Sequence, residues 1–103
     1  IKFIEIPTSA ETNYQPTASL LESCGQKFDG LIINSPSNPT GTMIDAEELQ
    51  KICAWCDRNN VRLISDEAYH GITYEKRAQT ALAHSKTAIV TNTFSKYFAM
   101  TGW

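Results

Sequence analysis

Three short apolar runs limit what this chain can fold into: 31–33 in DGLIINSP, VRLIS at 61–65, and TAIVTN at 87–92. Continuous branched runs of this length suit strands covered on both faces, the condition of a parallel sheet. The segments between them are too long for hairpins, so the strands are joined by crossovers. The expected fold is α/β, a mainly parallel sheet with crossover helices.

The clearest helix lies between the first two runs. Asp45 followed three residues later by Glu48 reads as an aspartate variant of a capping box, and Glu47 and Glu48 suit the positive end of the helix dipole. Leu49, Ile52, Cys53 and Cys56 then recur on one helical face, and the helix ends near RNN at 58–60. A shorter helix is expected at TASLLESC (17–24), one helical turn between Thr80 and His84, and a short strand at KFIEI (2–6), with a polar loop following that strand.

Composition excludes several classes. The formal net charge is −2 with no Lys/Arg cluster, which favours neither nucleic acid nor an anionic membrane. No apolar run approaches the ~20 residues of a membrane span. Three cysteines, an odd count, argue against a disulfide framework and suit a reducing, cytoplasmic setting. CAWC (53–56) lies inside the expected helix on its apolar face, not ahead of a helix as a redox motif would. With no second Cys or His pair at ligand spacing, no metal site is expected and the two thiols are read as core. His70 and His84 are isolated, and His70 is read as a solvated loop residue beside a possible pocket.

Each run ends in a polar segment: SPSNPTG, then DEAYHG, then TFSK. Ligands of open α/β sheets bind outside the carboxyl ends of the strands, so Asn38, Asp66, Tyr69 and Lys96 are expected to converge on one crevice. That set offers an amide, a carboxylate, a phenol and an amine.

NPTG (38–41), SDEAYHGITY (65–74) and TFSKYFAMTGW (93–103) together resemble the class I/II aminotransferases, enzymes of fold type I that use pyridoxal 5′-phosphate. Three motifs in the family's order carry far more weight than one. The resemblance implies that residues 1–103 are a partial large domain, its central part, with both ends truncated. The family's pattern places a phosphate-binding arginine one position beyond Trp103. It also includes a glycine-rich phosphate loop, a ring-stacking aromatic and a substrate-carboxylate arginine, none of which has a counterpart position here.

The resemblance also assigns roles. Lys96 matches the lysine that forms the Schiff base with the cofactor aldehyde and later serves as general base and acid, which requires a neutral amine. Asp66 matches the carboxylate beside the pyridine nitrogen. Asn38 and Tyr69 match the pair that donates to the ring's phenolate oxygen, and Thr93 matches a phosphate-binding hydroxyl that is usually serine, with Ser95 as a second. The implied activity is amino transfer between an amino acid and a 2-oxo acid, in a homodimer. Carbon–sulfur lyases, decarboxylases and oxoamine synthases share the cofactor site. A transcription regulator with an aminotransferase-like sensor domain is an alternative of another class.

Overall fold

In the computed structural model, which describes residues 1–102, the three runs form one parallel sheet of order β1-β2-β3. Strand β1 covers Gly30–Asn34, β2 Arg62–Asp66 and β3 Ile89–Thr91. The register pairs Ile32 with Ile64 and Ile64 with Ile89, and two residues on it pairs Asn34 with Asp66 and Asp66 with Thr91. The polar strand ends are therefore level with one another, as the parallel arrangement requires.

One face of the sheet is covered. Helix α2, Ala46–Asn59, crosses between β1 and β2 and buries Leu49, Ile52, Cys53, Trp55 and Cys56 against Leu31, Ile33 and Leu63. Complete burial of an aliphatic side chain such as Ile52 contributes about 1.5–3 kcal/mol, so this seam dominates the fold. Helix α1, Ala18–Ser23, packs beside α2. The Trp55 indole N–H donates to Glu22, and the Trp55 ring stacks on Phe28 at 5.6 Å. Asn60 takes the left-handed conformation (φ 55°) that ends α2 and turns the chain into β2.

The opposite face is bare. Ile32, Ile64 and Ile89 form an apolar row across it, and Ile32 is 68% and Ile89 48% exposed. The continuous apolar character of the runs anticipates cover on both sides, and only one layer lies within these residues.

Three expectations are corrected. Asp45 starts α2, but its side chain makes no capping bond; its Oδ1 accepts from Lys76 Nζ at 2.8 Å. Glu48 caps a different helix, accepting the Ala18 N–H at the start of α1 at 2.7 Å. The segment 2–6 forms no strand: Ile6 packs on the core edge, so its alternation serves packing without ladder pairing. His70 is half-buried rather than a freely solvated loop residue; its Nδ1 lies 3.3 Å from Glu67 Oε2.

Cys53 and Cys56 are fully buried on the α2 face. Burial, reinforced by the nearby Asp57 carboxylate, pushes the Cys53 thiol up to about 11. Burial, with Cys53 and then Asp57 adding to it, raises Cys56 to about 12. Both stay protonated at neutral pH, the state of inert core thiols.

Candidate functional site

Three loops leave the level ends of the strands, and each is tied to its neighbour. After β1, Asn34 Nδ2 donates to the Asp66 carbonyl at 3.3 Å, while its Oδ1 accepts the Asn38 N–H at 2.9 Å. One amide thereby sets the SNPTG turn relative to β2. The turn closes through Gly41 N–H to the Ser37 carbonyl and Ser37 N–H to the Thr42 carbonyl, with Gly41 at φ +69° where a side chain would be strained. From outside, the buried Gln15 amide holds Thr42 through its carbonyl and hydroxyl.

After β2, the ladder continues one step: Glu67 N–H donates to the Thr91 carbonyl at 2.8 Å. Asp66 points to the face that α2 leaves bare. Its Oδ1 accepts the Ala68 N–H at 3.1 Å and the Thr91 hydroxyl at 3.4 Å. Among the described residues, Oδ2 has no partner and remains available as an acceptor.

After β3, Thr93 caps the short helix α3, Phe94–Tyr97, by accepting the Ser95 N–H at 3.1 Å. A hydroxyl that accepts in this way keeps its own proton to donate. Lys96 lies on this helix, and its Nζ stands 5.9 Å from the centroid of the Tyr69 ring.

The loops meet at Tyr69. Asn38 Nδ2 donates to the Tyr69 hydroxyl oxygen at 3.2 Å, so the phenolic proton stays free for another acceptor. Asn38 and Tyr69 share the wall of a cleft of about 710 Å³ with Pro36, Met43 and Ile72. Lys96 and Asp66 lie outside that cleft: Lys96 over the Tyr69 ring, Asp66 on the sheet's bare face. The Tyr97 ring lies against Gly71, with its nearest carbon 2.5 Å from where a Cβ would stand, so α3 and the Tyr69 loop are in direct contact.

The donors fit pyridoxal 5′-phosphate: an amine for its aldehyde, an open carboxylate oxygen for its ring N–H, an amide–phenol pair for its phenolate, and hydroxyls for its phosphate. Sequence reasoning missed Asn34 and Thr91, the side chains that set the Asn38 turn and the Asp66 carboxylate. Their signal was present, as polar residues at the ends of two apolar strands.

A parallel sheet with polar loops at its carboxyl edge defines an α/β domain, and comparison with known proteins narrows it. The family model for aminotransferase class I and II matches residues 1–103. A valine–pyruvate aminotransferase of Mycobacterium tuberculosis is 51% identical over 102 residues, covering 97% of this chain and 26% of the relative. An aspartate aminotransferase of Pyrococcus horikoshii is 35% identical over 105 residues. Among solved structures, an aminotransferase from M. tuberculosis superposes with a TM-score of 0.91 at 51% identity. The Thermus thermophilus aspartate aminotransferase with maleate superposes at 0.90 and 28% identity, covering 97% of this chain and 27% of that one. The chain belongs to the class I and II aminotransferases, a family that uses pyridoxal 5′-phosphate. It spans about a quarter of the length of these relatives, 26% of the first.

Proposed function

We propose that this chain is the central part of the large domain of an aminotransferase, which moves an amino group from an amino acid to a 2-oxo acid. The Asn38–Tyr69 hydrogen bond and the Lys96 amine over the Tyr69 ring carry this reading, because together they bring groups from three separate loops to one tyrosine. Pyridoxal 5′-phosphate, when bound, supplies an aldehyde for covalent attachment and a ring that takes up the electron pair released at the substrate's α-carbon.

The chain's own residues do the rest. With the cofactor bound, Lys96 Nζ would hold its aldehyde carbon, and the amine would carry the substrate α-carbon's proton as general base and acid. Asp66 Oδ2 would accept from the ring N–H and keep its proton in place, with the Thr91 hydroxyl and the Ala68 N–H holding the carboxylate still through Oδ1. Tyr69 and Asn38 would donate to the phenolate oxygen, and the hydroxyls of Thr93 and Ser95 would donate to the phosphate.

The bare face carrying Ile32 and Ile89 supports the placement inside a larger domain, which would supply the second layer. The 103-residue chain alone is expected to self-associate or melt without a cooperative transition; a monomer that unfolds cooperatively would contradict the placement. Free Cys24, Cys53 and Cys56 support a cytoplasmic setting, and the family supports a homodimer.

The relative named for valine and pyruvate supports a test with that pair. Full-length protein loaded with cofactor is expected to form alanine from pyruvate when given valine. Ammonia or carbon dioxide released without any 2-oxo acid acceptor would instead indicate a lyase or decarboxylase of the same fold.

A further inference from the structure

Glu67 is a buried carboxylate, 2% exposed, with no part in the chemistry above. Its Oε1 accepts the Ser65 hydroxyl at 3.1 Å and the Ala81 N–H at 2.8 Å, and its Oε2 lies 3.3 Å from His70 Nδ1. Its backbone carbonyl accepts the His70 N–H, and its own N–H reaches Thr91. One side chain thus joins the end of β2, the turn carrying Tyr69, and the far end of the loop at Ala81. A buried carboxylate costs stability unless donors surround it, and here they come from the end of β2 (Ser65) and from the loop itself (His70 and Ala81).

We infer that Glu67 is a positioning residue for Tyr69: it clamps the 67–81 loop so that the Tyr69 hydroxyl stands where Asn38 and the cofactor's phenolate oxygen both reach it. The inference rests on the aminotransferase reading. The residues on either side, Asp66 and Ala68, are tied to the strand by other bonds, so the clamp acts on the turn beyond them. Donation from Tyr69 makes the phenolate oxygen a poorer base. A loosened Tyr69 therefore lets the lysine-linked cofactor hold its proton to higher pH.

The test is the pH midpoint of the bound cofactor's absorption band in full-length protein, for wild type, Glu67→Ala, Tyr69→Phe and the double variant. Tyr69→Phe is expected to raise the midpoint. Glu67→Ala is expected to raise it by about 0.5–1 pH unit, the equivalent of one net hydrogen bond, and to add little in the Tyr69→Phe background. Glu67→Gln, which keeps an acceptor oxygen for Ser65 and Ala81, is expected to return the midpoint toward wild type. A Glu67→Ala midpoint equal to wild type, with only a lower melting temperature, would overturn the inference, as would a shift that adds in full to that of Tyr69→Phe. Should the alanine variant not fold, Glu67→Asp, one methylene too short to span Ala81 and His70 together, is held to the same outcomes. Wild type with no pH-dependent band would overturn the aminotransferase reading itself, a result distinct from an unmoved Glu67→Ala midpoint.

Discussion

Asp66→Ala in the full-length, cofactor-loaded protein is expected to slow turnover by roughly 10²–10³-fold while Lys96 still links the cofactor. A loss of that size is typical when a preorganised electrostatic partner is removed from a site where charge develops. The argument starts from the register. Asp66 stands level with Asn34 and Thr91 at the ends of three parallel strands, and its Oδ1 is fully used by Ala68 and Thr91. The remaining oxygen can hold a ring N–H in its protonated state without moving, which the reaction needs when the α-carbon gives up its proton. Asp66→Asn keeps the shape and loses the charge, so it is expected to fall near the alanine variant. Single-turnover rates with substrate in excess read the step directly, and an Asp66→Ala rate within a factor of three of wild type would remove Asp66 from the mechanism.

Lys96→Ala is expected to abolish covalent attachment and to cut turnover further, by about 10²–10⁴-fold for the lost general acid–base group alone. The side chain is exposed in this structure and rests over the Tyr69 ring on a four-residue helix, so its removal disturbs no core contact. Thermal stability of the apoprotein should therefore be unchanged. That separates it from Asp66→Ala, which frees the Thr91 hydroxyl and the Ala68 N–H. Added small amines that restore part of the Lys96→Ala rate would show that the missing group is a proton carrier. A variant retaining more than about one-tenth of wild-type turnover would contradict the assignment.

The fold was legible in the sequence wherever burial dictated it. The runs at 31–33, 61–65 and 87–92 supplied the three strands because branched apolar residues suit a sheet, although only one face is covered within these residues, and Leu49, Ile52, Cys53 and Cys56 all reached the core. Local signals were less reliable where tertiary partners competed. Asp45 and Glu48 have capping-box spacing, yet Lys76 and the start of α1 claim their carboxylates. The alternation at 2–6 has no strand edge to pair with. In the site, Asn38, Tyr69 and Lys96 could be read from motifs that end strands, and the structure bonds Asn38 to Tyr69 and sets the Lys96 amine 5.9 Å from the Tyr69 ring centroid. Two of the supports could not: Glu67 and Gln15 act across 14 and 27 residues, and no spacing rule in one sequence encodes such contacts.

The most direct measurement is chemical trapping. Full-length protein incubated with pyridoxal 5′-phosphate, reduced with borohydride and digested, is expected to yield one cofactor-bearing peptide, modified at Lys96. An adduct on any other lysine, or none at all, would contradict the account.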